Sequence, residues 1–193
     1  MDMSAREVFA EHCAVAARAA QELPPVIEHI VAAAGACLNG GRKILTCGNG
    51  GSAADAQHMV AELIGRFRDE RRALPAIALT ADTATLTALG NDYGYERVFA
   101  RQVEALAQAG DVLFAISTSG NSANVVRAAQ VARDRGCTVV ALTGESGGQL
   151  AAHADLLLCA PSGVVARIQE VHTLCIHAIV ESLDRLLREQ AAS

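Results

Sequence analysis

Read from the N-terminus, apolar positions first recur at helical spacing. Between Ser4 and about Ala20 they fall at Val8, Phe9, Cys13, Ala16, Ala17 and Ala20, and Leu23-Pro24-Pro25 stops that helix. A second helix is expected from about Pro25 to Leu38, with Ile27, Ile30, Val31 and Ala34 on one face, ending at Asn39-Gly40-Gly41. The period then changes. Five short apolar runs, Lys43 to Cys47, Ala76 to Leu79, Val112 to Ile116, Thr138 to Leu142 and Asp155 to Cys159, each read as a buried parallel strand. Helical patterns lie between them near Ser52 to Gly65, Thr83 to Leu89, Glu96 to Gln108, Ala123 to Arg135 and Gly147 to His153. The last stretch, about Val164 to Gln190, is one long helix whose middle, Thr173 to Leu183, is apolar on most sides.

Strands alternating with helices imply a doubly wound α/β fold, a parallel sheet with helices on both faces. Right-handed crossovers put the loop after each strand on one edge of the sheet, where such folds bind ligands. The two leading helices stand outside the alternation and need a partner for their apolar faces; a second subunit is one candidate. The apolar middle of the last helix points the same way. With no repeat, low-complexity tract or linker, residues 1–193 read as one domain in which the helices of 1–40 serve oligomerisation.

Composition narrows the core and the partners. The chain is 51% hydrophobic but only 3% aromatic and has no Trp, so its core must be aliphatic and rich in Ala. A formal charge of −5 argues against broad binding to nucleic acid or anionic membranes. Met1 to Cys13 is polar and carries no apolar signal region, and no apolar run of about 18 residues occurs, so a soluble cytoplasmic protein is expected. The six cysteines are scattered singly without CxxC spacing, and buried reduced thiols are the expectation.

Candidate chemistry gathers after two of the strands. The turn Gly48 to Ser52 and the helix behind it offer free backbone N–H groups to an anion, and that helix carries His58 and Glu62 one turn apart on one face. After the third strand comes Ser117-Thr118-Ser119-Gly120-Asn121-Ser122 and another helix start, where hydroxyls and amides can surround phosphate oxygens; an ordinary capped turn would read similarly. There is no GxxxxGK[ST] and no GxGxxG, which leaves a small phosphorylated metabolite as the better ligand. On the last helix Gln169, Glu170, His172 and His177 stand among apolar neighbours, and each must find a polar partner. Gln169 and His177 are eight residues apart, about 12 Å of helical rise, so one site serves both only if it lies between them. His177 alone also reads as a hydrogen-bonded core histidine. Gly90-Asn91-Asp92-Tyr93-Gly94 is turn-rich, with Asp92 either in an Asx turn or on sugar hydroxyls. Arg66, eight residues from His58, can reach the same edge.

Taken together, CGNGGSAADAQH with Glu62, GNDYG, STSGNS, LTGESGG and ARIQEVH followed by His177 resemble the phosphoheptose isomerases of the sugar isomerase (SIS) superfamily, over nearly the whole chain and in order. The resemblance implies a five-stranded parallel sheet in a homotetramer with active sites at subunit interfaces. The implied reaction turns D-sedoheptulose 7-phosphate into D-glycero-D-manno-heptose 7-phosphate through an enediol, the first step toward nucleotide-activated heptoses of lipopolysaccharide and related glycans. By the same resemblance Asn49, Gly50, Gly51, Ser52, Ser117, Thr118, Ser119 and Ser122 hold the substrate and its phosphate, with Asn91, Asp92 and Arg66 on the sugar. Glu62 and His177 match the acid/base pair, and His58, Glu62, Gln169 and His177 match the zinc positions of metal-containing members, one ion per subunit; Gln169 also faces substrate. A non-catalytic DnaA-associating regulator of replication initiation shares the implied fold and is the alternative; it lacks the acid/base residues that are present here. A sensing module without catalysis is a third reading.

Overall fold

The computed structural model describes residues 4–68 and 70–192. Helix α1 (Ala5–Glu22) begins at a reciprocal cap: Glu7 N donates to Ser4 Oγ at 3.3 Å and Ser4 N donates to Glu7 Oε2 at 2.6 Å. Helix α2 (Pro24–Asn39) has no side-chain cap, but Pro24 and Pro25 carry no N–H to satisfy. The chain then alternates through β1 (Ile44–Gly48), α3 (Gly51–Ile64), β2 (Ala76–Ala78), α4 (Thr83–Tyr93), α5 (Val98–Leu106), β3 (Val112–Ile116), α6 (Ala123–Asp134), β4 (Thr138–Gly144), β5 (Leu156–Ala160) and α7 (Val165–Ala192). All strand pairings are parallel, in the order β2-β1-β3-β4-β5.

Side chains alternate along each strand, which makes two cores. Ile44, Val112, Phe114, Ile116, Val140 and Leu142 face one layer, where Ile30 of α2, Met59 and Leu63 of α3, and Ile176 and Leu183 of α7 pack on them. Leu45, Leu113, Val139 and Ala141 face the other, covered by Phe99 and Val103 of α5 and Val125, Ala128 and Ala132 of α6. The fold is the expected doubly wound five-stranded sheet. Its consequence for a site lies between β1 and β3: they are neighbours in the sheet, yet β1 leads into α3 on one face and β3 into α6 on the other. Adjacent strands that send their chains to opposite faces open a crevice at their C-terminal ends.

At the opposite end of the sheet one carboxylate ties the strands' entry. Asp111 is fully buried; its Oδ2 accepts from Lys43 Nζ at 2.6 Å and from Gln108 N at 2.8 Å, and its Oδ1 accepts from Lys43 N at 3.0 Å.

The expected boundaries move by one or two residues at most elements, the ordinary fraying of helix and strand ends. Three differences are larger. Gly90 to Tyr93 belong to α4 and not to a turn, because Asp82 caps the helix at Thr85 N and Gly94, at φ +81°, is the residue that ends it. The expected helix at Glu96 to Gln108 is a 3₁₀ turn, Tyr95–Arg97, followed by α5, and the one at Gly147 to His153 is only a 3₁₀ turn, Gln149–His153. All six cysteines are free, and burial pushes the Cys47 and Cys175 thiols up to about 12, so these two act as packing groups. Of α1 only Ala19 is buried, and Phe9 is 72% exposed. Among the described residues no helix is long and apolar enough to cross a membrane.

Candidate active site

Two turns form the walls of the crevice. On the β1 side, Gly48 packs so closely on the start of α3 that a Cβ would lie 2.6 Å from the Ser52 carbonyl oxygen. Gly50 adopts φ +56° and turns the chain, Ser52 N donates to Asn49 O at 3.0 Å, and α3 begins with no side-chain cap. On the β3 side, Gly120 N donates to Ser117 O at 2.9 Å, and Ser117 Oγ donates to Ser122 Oγ at 3.0 Å. Gly120 sits at φ +65° against the Gly147 carbonyl, where no Cβ fits, and α6 also begins with no side-chain cap. Two helix starts without side-chain caps thus turn their partial positive charge, and the first-turn N–H groups not already bonded within the turns, toward one crevice lined by hydroxyls. Beyond Thr118 and Ser119 the space continues into a cavity of about 320 Å³ reaching Glu145, Ser146 and Ser162.

A side-chain bridge spans these walls, and the sequence reading did not see it. Asn49 Nδ2 donates to Asn124 Oδ1 at 2.8 Å, and Asn124 Nδ2 donates back to Asn49 Oδ1 at 2.9 Å. Tyr95 OH adds a third contact, donating to Asn49 Oδ1 at 3.1 Å, while Asn124 Oδ1 also accepts from Val125 N. Asn49 Oδ1 is saturated by this arrangement, so what the residue has left to offer a ligand is the second proton of Nδ2. No period or spacing in the sequence singles out Asn124 or Tyr95.

A cluster of ionisable groups comes from α3 and α7. His58 Nε2 lies 3.2 Å from Glu62 Oε1 and 3.3 Å from His177 Nε2, all three residues are half-buried, and Phe67 packs on the His177 ring at 5.6 Å. One Nε2 carries at most one proton, so His58 cannot satisfy both neighbours; a cation among the three resolves this. Ligands of tetrahedral zinc at about 2.0–2.1 Å stand about 3.3 Å apart, and the donor set is the mixed nitrogen and oxygen kind that zinc accepts. These residues therefore fit a zinc ion. Gln169, the fourth of the set, lies at the other end of α3, where its amide fills the place a Cβ on Gly51 would take.

Two further groups hold the helices in place. The guanidinium of Arg71 donates to the carbonyls of Glu62 and Leu63 and to Asp184 on α7. Nearer the crevice, Thr173 Oγ1 contacts Asp55 Oδ1 at 2.8 Å and Gln169 O at 3.1 Å. His172, buried completely, donates from Nε2 to the Thr143 carbonyl at 3.0 Å, and burial pushes its pKa down from 6.5, so the ring is neutral. Asp55 Oδ2 and His172 Nδ1 are buried with no hydrogen-bond partner among the described residues.

Of the expected site residues, Asn49 to Ser52 and Ser117 to Ser122 form the crevice walls, and His58, Glu62 and His177 meet in one cluster. Gln169 lies instead against Gly51 at the start of α3, and the other three are exposed. Asn91 and Asp92 are exposed in the last turn of α4, where Asn91 Nδ2 donates to Asp92 Oδ1 at 2.8 Å, and Arg66 is exposed after α3 with no hydrogen bond among the described residues.

Comparison with known proteins adds an independent line. Residues 8–144 match the family model of the SIS domain. A phosphoheptose isomerase of Shewanella loihica is 54% identical over 175 residues, covering 89% of each chain. Two solved structures are similar over 93% of this chain and 96% of theirs: the phosphoheptose isomerase of Neisseria gonorrhoeae, with TM-score 0.89 and 48% identity, and one from Francisella tularensis, with 0.91 and 43%.

Proposed function

The chain belongs to the SIS domain family and, within it, to the phosphoheptose isomerases, and we infer that it interconverts D-sedoheptulose 7-phosphate and D-glycero-D-manno-heptose 7-phosphate. The observation that carries the chemistry is the meeting of Glu62, His58 and His177 within 4.8 Å beside a crevice with two bare helix starts. No observation favours the replication-initiation regulator.

In the proposed mechanism the phosphate takes the N–H groups at the starts of α3 and α6 and the hydroxyls of Ser52, Ser117, Thr118, Ser119 and Ser122. Asn49 donates from Nδ2, and Gln169, Asn91, Asp92 and Arg66 address the sugar. Glu62 removes the proton from C1 of the ketose; the C1–H electrons become the C1=C2 bond of the enediol as O2 gains a proton. Glu62 then returns a proton to C2 while O1 gives one up, leaving the carbonyl on C1. His177 carries protons between O1 and O2. His58, Glu62 and His177 would hold a zinc ion, with Gln169, which lies against Gly51 in this chain, as the family's fourth position; when bound, the ion would supply positive charge that stabilises the negative sugar oxygens.

We further propose a cytoplasmic homotetramer, one zinc per subunit, that acts as a single SIS domain and whose product feeds nucleotide-activated heptose and lipopolysaccharide synthesis. The exposure of Phe9 on α1 and of Leu174 on α7 supports subunit contacts there. The test is turnover of sedoheptulose 7-phosphate by Glu62→Gln and His177→Ala, each checked by native mass spectrometry for subunit count and zinc. Each variant is expected to lose about 10²- to 10⁴-fold in kcat with the tetramer intact. Full activity in either would remove that residue from the mechanism.

A further inference from the structure

The two ends of the proton-transfer cluster sit on different helices, and proton transfer tolerates little error in their separation. Arg71 is where the two helices are joined. Its side chain is 8% exposed and that of Asp184 7%, and they pair through Nε and Oδ1 at 2.6 Å. The other nitrogens of the guanidinium go to main-chain carbonyls: one to Glu62 at 2.7 Å, the second to Leu63 at 2.8 Å, Arg72 at 3.1 Å and Gly65 at 3.3 Å. Glu62 and Leu63 lie in the last turn of α3, where helix carbonyls have no partner within the helix. Asp184 stands two turns beyond His177 on the same face of α7. A single rigid, planar ion therefore grips the peptide of the base on one side and the helix of its partner on the other.

We propose that Arg71 and Asp184 are a positioning pair that sets the spacing of Glu62 and His58 from His177. The inference rests on the isomerase reading above. A pair that only stabilised the fold would lower the melting temperature and leave the chemistry of folded molecules unchanged.

The experiment uses the full chain, at a temperature where circular dichroism shows each variant folded, and compares Arg71→Lys, Asp184→Asn and Asp184→Glu. The control is Arg68→Ala, which removes an exposed ion pair to Glu181 joining the same two segments. Arg71→Lys and Asp184→Asn should each lower kcat about 10- to 100-fold with KM for sedoheptulose 7-phosphate within about twofold, because the phosphate walls are untouched. Metal-stripped protein titrated with Co²⁺ should bind about 10-fold more weakly in the same variants, with an altered visible spectrum. Asp184→Glu should recover most of the loss, and Arg68→Ala should match the unaltered protein. If Arg71→Lys does not fold, Asp184→Asn carries the comparison through the same two readouts. Unchanged kcat and Co²⁺ affinity in folded Arg71→Lys or Asp184→Asn would overturn the inference while leaving the isomerase reading intact. A chain that is itself inactive on sedoheptulose 7-phosphate would overturn both.

Discussion

The two ends of the parallel sheet are built by opposite rules. Where the strands enter, two carboxylates are engaged: Asp111 gathers an ammonium and two backbone N–H groups, and Asp155 Oδ2 accepts from Val139 N at 2.8 Å. Where the strands leave, α3 and α6 start without a side-chain cap at the β1–β3 crevice, and Asp55 Oδ2 and, beside β4, His172 Nδ1 have no hydrogen-bond partner among the described residues. The difference is not a general feature of that edge, since α4 also starts there and has its cap from Asp82. A cap stabilises a helix by about 1 kcal/mol, so leaving two helices bare at one spot gives up stability, and the proposed phosphate contacts would offset it.

The largest test of this contrast is at the satisfied end. Asp111→Ala strands the Lys43 ammonium and two N–H groups, and unfolding in urea should show a loss of about 3–5 kcal/mol, while kcat of the remaining folded enzyme stays normal. Gly51→Ala at the open end should do the reverse. Its Cβ falls on the Gln169 amide, so kcat/KM is expected to drop about 100-fold, or about 2.7 kcal/mol, with little change in the urea midpoint. The smallest effect concerns His172. Its pKa is lowered in the folded chain, chiefly by burial, so the unfolded chain takes up the proton first. This contribution to stability is complete above pH 6.5 and is lost as pH falls below it, at up to about 1.4 kcal/mol per pH unit. Urea unfolding at pH 7.5, 6 and 5 measures the slope, and His172→Gln should flatten it.

How much of this was legible beforehand follows from what each feature depends on. Strands and helices are set by local periodicity, so the apolar runs and the doubly wound order could be read directly. So could the glycine turn and the Ser117 to Ser122 turn, because their chemistry lies in contiguous residues. Gly90 to Tyr93 misled because turn-forming residues were read without the Asp82 cap upstream that keeps the helix going. Asn124, Tyr95, Arg71 and Asp184 were invisible for a different reason. Each is an unremarkable polar residue whose partner lies far away in the chain, such as the 113 residues between Arg71 and Asp184. Only the packing of α3 against α7 and of α6 beside β1 makes them meet.

The placement of His177 also has a temporal side. It lies 119 residues after His58, beyond the matched stretch of 8–144, on a helix synthesised after all five strands. A growing chain has the Gly48 to Ser52 and Ser117 to Ser122 turns well before α7 exists, and domains fold from the N-terminus as they emerge. On the proposed mechanism anion binding is thus encoded early and proton transfer late, so a chain interrupted before α7 would lack the His177 that meets Glu62 and His58 in the folded cluster.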